Sequence, residues 1–201
     1  MAFIYKAGYL HTIFGPMKSG KTEKLIEIFT NLKYCDIKGI VFNPAVNTRD
    51  PVIRSRISNR WLETIRIDES TPENVFRHLS DSQNMIVGFD ETQFFVMSII
   101  TVIDKLLKQD FHVIVSGLLL DFRGEPFGPM PTLVGRSHEI TQLSAICEYP
   151  GCNRHATQTQ RLINGKPADY SSPTILIEGG GYNEEYQARC IRHHYVPRSS
   201  S

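Results

Sequence analysis

Apolar positions along this chain follow two alternating rhythms. Nearly continuous apolar runs occur at Tyr9-Leu10-His11-Thr12-Ile13-Phe14, Gly39-Ile40-Val41-Phe42-Asn43, Met85-Ile86-Val87-Gly88-Phe89 and Phe111-His112-Val113-Ile114-Val115-Ser116-Gly117. Their length and β-branched content predict strands buried on both faces. Between them Leu25, Ile28, Phe29 and Leu32, and later Ile99, Ile100, Ile103, Leu106 and Leu107, recur at the spacing of one helix face. Thr64-Ile65-Arg66-Ile67 alternates like a short strand. Ser70, with Glu73 three residues on and Pro72 between them, predicts a capped helix start whose apolar face is Val75, Phe76 and Leu79. Strands alternating with amphipathic helices predict an α/β fold, a mostly parallel sheet flanked by helices. Such sheets take ligands beyond the carboxyl ends of their strands.

Two segments break the rhythm. Residues 44–60 are rich in Asn, Arg, Ser and Pro and carry Arg49, Arg54, Arg56 and Arg60. A stretch of that length without periodicity reads as a lid able to clamp phosphates or as a solvated loop. After about residue 140 helical periodicity fades, and Cys, Gly, Pro and Thr dominate. The expected division is an α/β nucleotide-binding domain over residues 1–143, a loop-rich module over 144–196 and a tail over 197–201. Cys35, alone after the first helix, reads as a small buried apolar residue, and His112 as a structural histidine within its strand.

Between the first strand and the first helix stands Gly15-Pro16-Met17-Lys18-Ser19-Gly20-Lys21-Thr22, which fits G-x-x-x-x-G-K-[ST]. In this loop backbone N–H groups wrap phosphates, Lys21 reaches the outer phosphates, and the Thr22 hydroxyl faces Mg²⁺. Gly15, Met17, Ser19 and Gly20 are the wrapping positions, and the helix dipole turns its positive end toward the anion. Asp90-Glu91 closes the third apolar strand. An acid there holds Mg²⁺ directly or through water. Alternation along an extended strand then turns Glu91 the other way, toward a second substrate whose alcohol it can deprotonate.

Cys147, Cys152, Cys190 and His193 form a second constellation, spaced C-x4-C and C-x2-H. Paired knuckles at the two ends of a loop-rich module suit a closed structural Zn²⁺ site, with His194 an alternative fourth ligand and His138 and His155 more distant ones. Phe122, just beyond the fourth strand, can stack on a base or simply pack its loop. The formal net charge of +1 offers no basic excess for nucleic acid. No apolar run approaches the ~20 residues of a membrane span, and no signal-peptide pattern opens the chain. A cytoplasmic location with reduced cysteines is the expectation.

Taken together, residues 15–22, Phe89-Asp90-Glu91-Thr92-Gln93-Phe94-Phe95, Asp121 to Phe127, Ala156-Thr157-Gln158-Thr159-Gln160-Arg161-Leu162, and the glycine-rich stretch running through Tyr186 to Cys190 and His193 resemble the zinc-containing thymidine kinases of bacteria, large DNA viruses, phages and the animal cytosol. The resemblance implies a P-loop NTPase-like (RecA-like) domain with a zinc-binding lasso module. It implies ATP and thymidine as substrates, with Mg²⁺, and Glu91 as the base on the 5′-hydroxyl. Asp90, Gln93 and Arg49 join the phosphate and metal side. Phe122, Ile177, Gly179, Gly180, Gly181 and Tyr186 form the nucleoside side. It further implies dTTP as a feedback inhibitor and a homotetramer, with no nucleic-acid or membrane partner. The chain departs from the family pattern at Leu119, at Asn47 (both positions commonly Asp), and in the wider first cysteine knuckle. An ATPase gripping DNA or protein through the metal module, or a nucleotide-binding regulator without turnover, are the competing readings.

Overall fold

A computed structural model describes residues 5–34, 37–46, 52–54, 58, 60–79, 85–175 and 183–198. The expectations for Cys35, Arg49, Arg56, Ile177, Gly179, Gly180 and Gly181 fall outside the described residues.

Along the chain the elements are β1 (Tyr9–Phe14), α1 (Lys21–Asn31), β2 (Lys38–Pro44), β3 (Val52–Arg54), β4 (Trp61–Glu63), β5 (Ile65–Ile67), β6 (Met85–Phe89), α2 (Ile99–Lys108), β7 (His112–Gly117), α3 (Met130–Arg136), β8 (Glu139–Gln142), β9 (Ala145–Ile146), β10 (His155–Ala156), β11 (Gln158–Ile163), β12 (Lys166–Pro167) and β13 (Glu184–Arg189). Six strands form one sheet in the order β5-β2-β6-β7-β1-β8, and every pairing in it is parallel. Side chains alternate across its two faces. Leu10, Phe14, Val87, Phe89, Val113 and Val115 face α2 and α3 in one cluster. Ile13, Val41, Ile86 and Ile114 meet Leu25, Ile26 and Phe29 of α1 in the other. Burial on both sides is why these strands read as unbroken apolar runs rather than as alternation.

Three features depart from the expectations. Residues 72–78 form a 3-10 helix, and its N-cap is Thr71, with no side-chain cap bond, rather than Ser70. The Ser70 amide and hydroxyl donate to Asp68 Oδ1 instead, at 2.8 and 2.6 Å. A short Asp side chain two residues upstream outcompetes the capping box. β3, within the basic stretch, pairs antiparallel with β4 just after it, and Ile53 and Leu62 pack with the α1 cluster. The carboxyl-terminal module is less loop-like than expected. In it β11 lies between β12 and β13 in an antiparallel sheet. The buried positions of β11 include Thr159, Gln160 and Arg161, so polar residues hid a core strand from a pattern based on hydropathy.

Candidate active site

The turn from β1 into α1 builds the glycine loop. Gly20 caps α1 at φ 86°, a left-handed conformation open to glycine without a Cβ penalty. A Cβ on Gly15 would meet the Leu143 carbonyl oxygen at 2.5 Å and Ser19 Oγ at 2.6 Å, so this close approach also requires glycine. Lys21 is buried, and its ammonium donates to the Pro16 carbonyl at 2.8 Å. Burial pushes its pKa down, while the negative charges of Glu91 and Asp90 push it back up. Ser19 Oγ is buried and has no hydrogen-bond partner among the described residues. Two ties fix the loop from outside: the Met17 amide donates to Thr159 Oγ1 at 3.0 Å, and Lys18 pairs with Glu148 at 2.5 Å.

Asp90 and Glu91 follow β6 directly, on the strand beside β7 and two places from β1. The Asp90 amide donates to the Phe42 carbonyl at 2.9 Å, which holds it at the sheet's carboxyl edge. Asp90 is 3% exposed. Burial, and then the neighbouring Glu91 charge, push its pKa up to about 7. A buried acid so short of compensating positive charge is a chemical fit for a cation, and Thr22 opens α1 beside Lys21. Glu91 is not on extended strand: its φ of 47° is left-handed. The turn, rather than strand alternation, therefore separates the two carboxylates. Gln93, expected on the phosphate side, has its amide engaged elsewhere. Its Nε2 donates to Glu91 Oε2 at 2.6 Å, and its Oε1 accepts from the Leu118 amide at 2.9 Å.

Of the residues expected on the nucleoside side, Phe122 is buried, with the guanidinium carbons of Arg161 and Arg123 5.2 and 5.3 Å from its ring centroid. Tyr186 lies opposite Arg161 in the β11–β13 pairing. Its hydroxyl donates to Glu184, and burial followed by that bond pushes its pKa up. Glu184 also pairs with Arg161 at 2.8 Å. A cavity of about 250 Å³ opens between Gly15 and Pro16 of the loop, Leu119 and Leu120 past β7, and Thr157 and Thr159. Leu119, the position lacking the common acid, gives that cavity an apolar wall. Thr159, Arg161, Glu184 and Glu148 escaped the reading of single residues. The first two lie in a stretch noted only for its resemblance, and no local pattern marks the glutamates.

The cysteine knuckles converge. The ligand atoms of Cys147, Cys152, Cys190 and His193 all lie within 4.8 Å of one another. His193 Nδ1 is 3.6 Å from Cys147 Sγ and 3.5 Å from Cys190 Sγ, and the sulfurs of Cys152 and Cys190 are 4.0 Å apart. Tetrahedral Zn–S and Zn–N bonds of about 2.3 and 2.0–2.1 Å put neighbouring ligands about 3.5–3.8 Å apart, so the set fits a closed four-ligand metal site. Burial pushes the Cys147 thiol up, but the backbone amides of Cys190 and Tyr149 and the His193 ring outweigh it and leave it at about 6. His194 is otherwise engaged, its Nε2 lying 2.9 Å from the Phe122 carbonyl. His155 lies against Ser144, and His138 accepts from the Leu10 amide.

Comparison with known proteins gives one answer. A family model described as thymidine kinase matches residues 8–195. A thymidine kinase from Mycoplasmoides gallisepticum is 42% identical over 192 residues, 94% of this chain and 82% of that protein. One from Coprothermobacter proteolyticus is 43% identical over 197 residues, 98% of this chain and 96% of that protein. Among solved structures, the Thermotoga maritima RuvB Holliday junction branch migration motor matches 69% of this chain and 38% of its own, at 12% identity and a TM-score of 0.38.

Proposed function

The chain belongs to the thymidine kinase family, and from that premise we propose that it transfers the γ-phosphoryl group of ATP to the 5′-hydroxyl of thymidine, giving dTMP for nucleotide salvage. The observation that supports the reading is that the glycine loop with Lys21 follows β1 and Asp90-Glu91 follows β6, both at carboxyl ends of parallel strands of one sheet. Phosphate-binding and proton-accepting groups thus belong to one site.

In this reading the amides of Gly15, Met17, Ser19 and Gly20 wrap the triphosphate, and Lys21 exchanges the Pro16 carbonyl for its outer oxygens. Thr22 and Asp90 are the residues that would hold Mg²⁺, which when bound neutralises charge on the β- and γ-oxygens. Phe122 and Tyr186 belong to the nucleoside side, with Ile177, Gly179, Gly180 and Gly181 as the strap over the base. Glu91 takes the proton of the 5′-hydroxyl. The freed oxygen bonds to the γ-phosphorus, and the bond from that phosphorus to the β-phosphate oxygen breaks, its electron pair leaving on ADP. Positioning and charge stabilisation supply most of the acceleration. Arg49 joins the phosphates from the lid.

Zn²⁺ is the metal we assign to Cys147, Cys152, Cys190 and His193. Three thiolates and one imidazole leave no open position, so its role is to fold residues 144–196 against the domain of residues 1–143. The resemblance supports the rest of the reading: dTTP as inhibitor, a homotetramer, a cytoplasmic setting and no nucleic-acid partner. Among the described residues no helix is long and apolar enough to cross a membrane.

The test is a panel of nucleosides offered with Mg·ATP, with the product identified by mass and by the position of the phosphate. Thymidine 5′-monophosphate, with deoxyuridine the next best acceptor, is expected. ATP hydrolysis without nucleoside product, stimulated by DNA, would replace this reading with that of an ATPase.

A further inference from the structure

We infer that Gln93 is the positioning residue for the base: its side chain, locked to the end of β7, fixes which Glu91 oxygen faces the acceptor hydroxyl. The inference rests on Glu91 being the base of the proposed reaction, and it replaces the phosphate-side role expected for Gln93 from the sequence. Gln93 is 2% exposed. The Leu118 amide donates to its Oε1 at 2.9 Å, and only the carbonyl end of a carboxamide can accept that bond. The amide orientation is thereby set, and the NH₂ end is turned toward Glu91 Oε2, 2.6 Å away. One carboxylate oxygen is held and the other is left for substrate.

The surroundings are shaped for this residue, Gly117 for its side chain and Gly128 for its backbone. A Cβ on Gly117, the last residue of β7, would meet Gln93 Oε1 at 2.5 Å. A Cβ on Gly128 would meet the Gln93 carbonyl oxygen at 2.2 Å. Two glycines from separate segments therefore clear the space that Gln93 fills. The clamp has a mechanical purpose, because Glu91 sits on a left-handed turn at φ 47°, a conformation unfavourable for a non-glycine residue. Without an anchor its carboxylate would swing with the turn. Lys21 and Asp90 are the other charges acting within this group; the Asp90 carboxyl accepts from the Glu91 backbone, and among the described residues the bond to the Glu91 carboxylate itself comes from Gln93. The anchor of the base is thus the neutral amide.

Gln93→Glu separates positioning from packing. A carboxylate at position 93 still accepts from the Leu118 amide and has nearly the same shape, but when ionised it cannot donate to Glu91. Loss of positioning predicts a kcat lowered about 10- to 100-fold at a pH where residue 93 is ionised, with the KM for thymidine and the Kd for ATP within about twofold of wild type. The like charge beside Glu91 is expected to lower the melting temperature, and Gly117→Ala, which adds no charge, controls for that loss. Gly117→Ala, which displaces Oε1, is expected to lower kcat in the same way without touching Gln93 chemistry. Full kcat in Gln93→Glu would reduce Gln93 to an anchor for Leu118 and overturn the inference. A loss confined to KM or to ATP affinity would place Gln93 on a substrate and overturn it equally. A wild-type chain that phosphorylates no nucleoside would instead remove the underlying kinase reading, so the two failures are distinct.

Discussion

Lys18 of the glycine loop is paired with Glu148, 130 positions later in the chain, at 2.5 Å. Glu148 follows the metal-cluster residue Cys147, and its second oxygen accepts from the Ala188 amide at 2.6 Å. The glycine loop is therefore tied to the first cysteine knuckle by one side chain. An exposed pair of this kind is worth roughly 0–1 kcal/mol, so the coupling is modest. Glu148→Gln keeps an acceptor for Ala188 and removes the charge. It should weaken ATP binding no more than about fivefold, with little change in kcat at saturating ATP, as read by titration calorimetry and steady-state kinetics.

Removing the metal should have a larger effect. About one Zn²⁺ per chain is expected by elemental analysis, lost from Cys147→Ser or Cys190→Ser. A strong chelator should lower the melting temperature and raise the KM for thymidine, because β13, which carries Tyr186, runs straight into Cys190. Metal-free protein with unchanged melting would reduce the four residues to packing.

Glu91→Gln should abolish phosphoryl transfer, by about 10²-fold or more, since general-base catalysis contributes about 10²–10⁴. ATP affinity should survive, because the glycine loop and Lys21 are untouched. Retained turnover in that variant would take Glu91 out of the reaction.

Asp90 carries a stability consequence with a definite sign. Its carboxyl is raised from an ordinary 3.8 to about 7, so between those values the folded chain binds more protons than the unfolded one. Ionised Asp90 therefore destabilises the ligand-free fold as pH rises from 4 toward 7. Asp90→Asn should be more stable than wild type at pH 8 by on the order of 3 kcal/mol, an advantage gone at pH 4, while losing Mg·ATP affinity. Denaturant melts at the two pH values, with and without Mg·ATP, check both halves.

His112 works in the opposite direction. Burial first, then the charges of His11 and Lys6, hold it down to about 4. Its Nδ1 accepts from the Lys6 amide at 3.3 Å, and its ring meets Tyr9 edge-on at 5.2 Å. The unfolded imidazole, near 6.5, binds more protons over the interval, so stability from this residue is full above pH 7 and falls as pH drops toward 4. The loss is about 2 kcal/mol at pH 5. Because Asp90 has the opposite slope, the measurement is the difference between wild type and His112→Asn. That difference should shrink on going from pH 7 to pH 5.

How much of this was legible in the residues follows from how far apart the determinants lie. The glycine loop, the strand before it and the helix after it are set within some two dozen consecutive residues by periodicity and by backbone freedom at glycine. The acid pair at the end of β6 and the paired cysteine knuckles are local patterns of the same kind. What tertiary structure alone decided lies between distant segments. His193 rather than His194 joins the cysteines because the turn after Cys190 sends the next ring to the Phe122 carbonyl. Gln93 reaches Glu91 because the pairing of β6 beside β7 brings the Leu118 amide to its Oε1. Arg161 could be recognised as a core residue only once Phe122 and Glu184 were packed around it. Short-range conformational preference is written residue by residue, whereas a hydrogen bond across a hundred residues depends on how whole strands align, and no single position encodes that alignment.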